Sequence, residues 1–154
     1  MPTNMIGDLL VACHEARRVI EMMPKLPDGL SPRHVYVIDT IYQLRRGKQT
    51  VKVSDVSKKL RVTKPSITKL INELEKLSVV EKATDSKDKR IKLLTLTPLG
   101  EQYYDIYVYK YNLWLSEQLS DIHPHEVTTT IHTIKRIYHA VSMGIHQGTF
   151  DDSL

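Results

Sequence analysis

Residues 63–77 read TKPSITKLINELEKL, and the rest of the chain is organised around them. Thr63 stands where a helix cap is wanted, its hydroxyl able to accept an orphan N–H of the first turn. Pro65 falls inside that turn, where a missing N–H costs no ladder bond. Ile67, Leu70, Ile71, Leu74 and Leu77 repeat at spacings of three and four, which makes one narrow apolar stripe. At about 100° per residue, the opposite face is Pro65, Lys69, Asn72 and Lys76, flanked by Ser66 and Thr68. Such a face is small, polar and basic, as expected of a helix that lies in a groove of DNA.

Charge is distributed in the same sense. The 154 residues carry a net charge of +4, but residues 45–92 hold 15 Lys/Arg against 6 Asp/Glu, a local charge of +9, and the flanks sum to −5. A basic middle between acidic ends fits a polyanion-binding face better than a general surplus of solubilising charge. Length and a hydrophobic content of 41% suit one compact domain with a real core. No run approaches the ~18 apolar residues of a membrane helix, and no basic start precedes the apolar residues of the amino terminus. Cys13, the single cysteine, rules out an internal disulfide framework and suits a reducing cytosol, so a cytoplasmic protein with no membrane partner is expected.

The flanking elements follow in order. Met5 to Met23 is expected to be a helix, ended by Pro24 and the cluster Pro27-Asp28-Gly29. Ser31-Pro32 opens a second helix through about Arg46, with Val35, Ile38, Ile41, Tyr42 and Leu44 as its apolar set and Gly47 as its stop. Thr50 to Val53 alternates like a minimal edge strand. Ser54 is expected to cap a short helix from Asp55 to Leu60, and a tight turn at Arg61-Val62 leads into residue 63. A short helix, a turn and a longer helix make a helix-turn-helix. After Leu77, Val79–Ala83 and Ile91–Leu96 have strand composition, and TDSKDKR (84–90) between them is a basic, turn-prone tip. A hairpin with a basic tip directly after the reading helix is a wing. Thr97-Pro98 starts a long helix to about Leu119, and His123-Pro124 opens a last one to about His146. The expected fold is mainly α with a small β-wing. Residues 1–30 form a helix and turn, 31–97 a winged helix-turn-helix, and 98–154 the C-terminal helices, all within one compact domain.

The run from Leu30 through Gly100 resembles the MarR family of bacterial winged-helix transcriptional regulators. Matching stretches are LSPRH from Leu30, VSDVSKKLRVTKPSITKLINELEK from Val53, DSKDKR from Asp85 and LLTLTPLG ending at Gly100, with Asp88-x-Arg90 and Leu96-Thr97-x-x-Gly100 the most diagnostic. The resemblance implies an obligate homodimer whose first and last helices intertwine as a dimerisation region. It also implies two reading helices offered to successive major grooves of a pseudo-palindromic operator, with half-sites roughly 34 Å apart. Repression released by a small aromatic or phenolic effector is the implied activity, and no cofactor is. Arg61 and Ser78 depart from the family pattern, which commonly places glycine at both turns.

Candidate site residues then fall into groups. On the reading helix, Lys69 and Asn72 are placed for guanine and adenine edges, Pro65 and Thr68 for thymine methyls, and Lys64 and Ser66 for phosphate, with Lys76 a further DNA-binding candidate on the same face. On the wing, Arg90 is expected to enter a minor groove, held by Asp88 and flanked by Lys87 and Lys89. Tyr103, Tyr107, Tyr111 and Trp114 lie on one stripe with Tyr104 beside it. They either line an effector pocket or pack the junction of the winged and outer helices. Cys13 is either a redox sensor, as in one branch of the family, or an inert buried thiol. His132, His139 and His146 share a stripe, but a spacing of seven separates neighbours by about 10.5 Å, too far for one metal; no metal site is expected. The chief alternative is a winged-helix module that docks an acidic protein without reading DNA. Redox- or metal-responsive variants of the regulator come next. An enzyme is the weakest reading, since no phosphate loop, nucleophile elbow, metal-ligand spacing or carboxylate pair appears.

Overall fold

The apolar stripe of residues 63–77 finds its partners within the chain. A computed structural model describes residues 2–86 and 88–146, in two units that divide after Asn112. In the first unit lie α1 (Thr3–Glu21), α2 (Pro32–Gly47), β1 (Val51–Lys52), α3 (Val53–Leu60), α4 (Lys64–Lys76), β2 (Val80–Thr84), β3 (Lys92–Leu96) and α5 (Pro98–Tyr104). A π-helical segment, Asp105–Lys110, follows without a break, then α6 (Tyr111–Gln118), which runs into the second unit, and α7 (Pro124–His146). The class is the expected one, mainly helical with a small β-wing.

Ile67, Ile71 and Leu74 of α4 are essentially inaccessible and pack with Val37, Ile38 and Ile41 of α2, Val56 of α3, and Val79, Val80, Leu94 and Leu96 around the sheet. Burying a side chain of this size contributes about 1.5–3 kcal/mol, so this one cluster fixes where α4 sits. The strands are antiparallel in the order β1-β3-β2. The wing is therefore a three-stranded sheet in which the two-residue β1 pairs with β3 as the expected edge strand.

Both turns that bracket α4 bend through left-handed backbone. Arg61 has φ 55° and Ser78 φ 56°. Arg61 ends α3, its N–H meeting the Lys58 carbonyl, while the Ser57 hydroxyl donates to the Val62 carbonyl at 2.7 Å. The turns thus keep the shape a glycine would adopt freely, at the cost of a side chain in the αL region.

Thr97 shows what Leu96-Thr97-x-x-Gly100 does after the wing. Its hydroxyl accepts the Gly100 N–H at 3.1 Å and donates to the Ser78 carbonyl at 2.7 Å, tying the start of α5 to the end of α4. A Cβ on Gly100 would stand 2.2 Å from the Val79 carbonyl oxygen, so only glycine fits.

Four expectations need correction. Ser54 lies inside α3 and is not its cap; the Asp55 carboxylate reaches back to accept the Lys52 N–H at 3.0 Å. Thr63 occupies the cap position of α4 but makes no bond to an orphan N–H, because its hydroxyl meets that of Ser66 at 2.9 Å. The long helix from Pro98 is interrupted by the π segment, a signal that apolar spacing does not carry. Cys13 is half-buried, not enclosed.

Candidate nucleic-acid interface

Lys64, Pro65, Ser66, Thr68, Lys69, Asn72 and Lys76 are all exposed on α4, on the side away from the core. Three of their side chains are already engaged, the Ser66 hydroxyl with that of Thr63 at 2.9 Å. The Thr68 hydroxyl donates to the Lys64 carbonyl at 2.8 Å, and the Asn72 Oδ1 accepts from the Lys82 ammonium at 2.7 Å.

The wing tip is built by its two aspartates. Asp85 accepts the Asp88 N–H at 2.9 Å, and Asp88 accepts the Arg90 N–H at 2.9 Å. These side-chain-to-backbone bonds are the usual way Asp shapes a short turn. The Arg90 guanidinium stands 3.9 Å from the same Asp88 oxygen and its side chain is 96% exposed. Asp88 therefore shapes the loop under Arg90 and leaves the guanidinium to project. Lys89 is exposed beside it, and Lys87 lies outside the described residues.

Between α4 and the wing runs a cleft of about 440 Å³ that brings together Lys52, Lys64, Lys82, Arg90 and Lys92. Among the described residues no carboxylate lines it. Lys52, Lys82 and Lys92 are absent from the sequence-derived contacts. Strand period holds the missing signal: Lys82 pairs with Leu94 and Thr84 with Lys92, so both lysines share the face of buried Leu94.

Asp55 ties down the backbone of Lys52, which lines the cleft. Partial burial pushes its carboxyl upward. Hydrogen bonds from Lys48 and from the Lys52 N–H, together with both lysine charges, outweigh that and hold it below the ordinary carboxylate range.

On the other flank of α4 lies a second cleft, of about 720 Å³, lined by Arg33, His34 and Tyr36 of α2 and by Ser66, Lys69 and Glu73 of α4 among others. His34 is buried, accepts the Ser31 N–H at Nδ1 (3.0 Å) and reaches Glu73 Oε2 from Nε2 at 2.9 Å. An Nδ1 that accepts carries no proton, so Nε2 is the donor to the carboxylate. This tie joins positions 39 apart in sequence, beyond the reach of local pattern.

The aromatic stripe is divided. Tyr103 and Tyr107 meet edge to face at 5.7 Å, and Tyr103 also packs against the core. Tyr104 stacks on Tyr42 at 3.5 Å, a pairing that spacing did not suggest. The Tyr111 hydroxyl faces the Met22 carbonyl at 3.5 Å. None of these lines either cleft beside α4. Trp114 belongs to the second unit, where its ring is half exposed.

On α7, Val127, Ile131, Ile134, Tyr138, Val141 and Ile145 repeat at 4-3-4-3-4 and are all exposed. His132 and His139 are exposed next to that stripe, and the side chain of His146 lies outside the described residues. Among the described residues no three His, Cys, Asp or Glu side chains gather as a metal site.

Comparison with known proteins agrees with this geometry. The model of the MarR family matches residues 28–91. The transcriptional activatory protein BadR of Rhodopseudomonas palustris is 29% identical over 86 residues, 55% of this chain and 49% of that protein. The chain thus aligns with about half the length of this relative. The PcaV transcriptional regulator of Streptomyces coelicolor, solved with its natural ligand, superposes with a TM-score of 0.68 at 16% identity, covering 88% of this chain and 92% of that one. The MepR–DNA complex of S. aureus gives 0.68 at 15%, over 92% and 99%. At such identities the likeness shows the fold alone.

Proposed function

We propose, from the MarR-family sequence of residues 28–91, that this chain is a sequence-specific DNA-binding transcriptional regulator acting as a homodimer. One observation carries the reading: a cleft between the exposed face of α4 and the wing, lined by five cations and, among the described residues, by no carboxylate. Such a surface seats phosphates, while Lys69 and Asn72 beside it reach for base edges and Arg90 for the minor groove. The likeness to MepR, whose structure contains DNA, supports the same use.

Dimerisation is supported by apolar stripes that stay open. Leu10 and Val11 of α1 are 63% and 60% exposed, and the 4-3-4-3-4 stripe of α7 has the period of a helix seam. A two-fold dimer would present its reading helices to half-sites about 34 Å apart.

An effector is the third part of the proposal. The cleft on the α2 side of α4 shares Ser66 and Lys69 with the DNA face. An anionic or phenolic ligand seated there would draw on the same side chains that DNA requires. The PcaV structure, solved with a natural ligand, supports small-molecule control.

Selection of bound fragments from random duplexes tests the central part. Enrichment of a pseudo-palindrome is the expected result; no enriched motif, with an acidic protein partner instead, would replace DNA reading by protein docking. A promoter fusion then gives the sign: a fall in expression is repression, a rise is activation.

A further inference from the structure

Lys82 touches two residues of α4 at once. Its ammonium lies 2.6 Å from Glu75 Oε2 and 2.7 Å from Asn72 Oδ1. Its stem starts from the sheet face that carries buried Leu94, and only 24% of the side chain is exposed, so the ammonium is held between strand and helix.

An ammonium has three hydrogens to give and no lone pair to offer. The Asn72 atom that faces it is therefore the amide oxygen, and the usual ambiguity between the two ends of an amide is resolved by the partner's chemistry. What remains for a ligand is the Nδ2 end with its two hydrogens, and one Oδ1 lone pair that lies beside the ammonium. Glu75 restrains the ammonium from the other side, so the amide has little reason to turn over.

We propose that Lys82 is a positioning residue that decides which base edge Asn72 reads, turning it from an adenine reader into a guanine reader. This rests on the DNA-reading surface proposed above. An unrestrained asparagine pairs with adenine by accepting from N6 and donating to N7. With a positive charge already on Oδ1, the adenine amino group approaches an occupied and electropositive site. Guanine presents two acceptors, N7 and O6, and suits the two hydrogens of Nδ2 while keeping no donor hydrogen against the ammonium. Lys82 itself does not touch the base; it acts through Asn72.

The experiment is binding-site selection on the full chain and on Asn72→Ala, Asn72→Asp, Lys82→Met and Lys82→Arg, with melting curves for each. The column of the motif that flattens in Asn72→Ala is the one Asn72 reads. In the wild type and in Lys82→Arg that column should be guanine. In Lys82→Met it should move toward adenine by about fivefold, the worth of one hydrogen bond, with the other columns unchanged. Asn72→Asp keeps a partner for Lys82 but has no hydrogen to give, so it should fold as well as wild type and lose the guanine preference. A tie that merely staples wing to helix predicts the reverse: Asn72→Asp reads like wild type, and Lys82→Met keeps the wild-type base in that column, any uniform fall in affinity being the loss of a cleft cation and bearing on neither reading. Adenine in the wild-type column, or the same column in wild type and Lys82→Met, overturns the inference and leaves DNA binding standing. No motif for the wild type at all overturns both.

Discussion

α4 and α7 carry apolar stripes of similar regularity with opposite fates. Ile67, Ile71 and Leu74 on α4 are 0%, 1% and 0% exposed, whereas Ile131, Ile134 and Val141 on α7 are 49%, 46% and 57% exposed. The same helical period therefore marks two kinds of surface: one satisfied inside the chain, one that stays open among the described residues. Their opposite faces differ as well. α4 turns Lys64, Lys69 and Lys76 outward, while α7 sets His132 and His139 beside its open stripe. In this account the first stripe holds the reading helix in place and the second pairs it with a copy of itself.

The sharpest way to break the comparison is to truncate each stripe. Leu74→Ala should cost about 2–5 kcal/mol in denaturant unfolding at every protein concentration, because it leaves a cavity in a closed core. Ile131→Asp with Ile134→Asp should leave α4's packing intact but abolish the rise of melting temperature with protein concentration, and light scattering should read a monomer. DNA affinity in that double variant should fall on the order of 100-fold, since two linked half-site contacts become one. An unchanged dimer would mean that α7's stripe serves something else.

Smaller effects probe the DNA side. Arg90→Ala should lower affinity on the order of tenfold, with the loss concentrated on sites whose narrow A·T-rich minor groove attracts a guanidinium, as competition between duplexes would show. Ser78→Gly should stabilise the fold by about 0.5–1 kcal/mol, because it relieves a side chain at φ 56°. Asp55 gives the smallest change. Its carboxyl is held low in the folded state, so its contribution is present above the unfolded carboxylate pKa and is lost as pH falls through the folded one. Asp55→Asn should flatten that part of an acid-unfolding curve.

What was legible in the sequence was local. The stripe on residues 63–77, the wing tip, the Thr97-Pro98 cap and the break at Gly47 each depend on neighbours within a turn or two, and each appears near its expected place. The cleft cations Lys52, Lys82 and Lys92 were hidden because their meeting depends on strand register and on how the sheet packs against α4. His34 and Glu73 meet across 39 positions. The π segment leaves no mark in apolar spacing, and the cap hydroxyl of Thr63 found a side-chain partner that a positional rule does not foresee. On α7 the histidine spacing of seven is the weaker pattern, and the apolar residues beside it, at 4-3-4-3-4, are the stronger one.

The central claim is that the face of α4 and the wing together form the DNA surface. Its most direct test is the salt dependence of binding to a selected duplex, by fluorescence anisotropy, for the wild type and for Lys52→Ala, Lys64→Ala and Lys92→Ala combined, three of the cations that line the cleft. Each lost phosphate contact removes about 0.9 from the slope of log K against log salt, so the triple variant should be shallower by about 2–3 units. An identical slope for the two proteins would contradict the account.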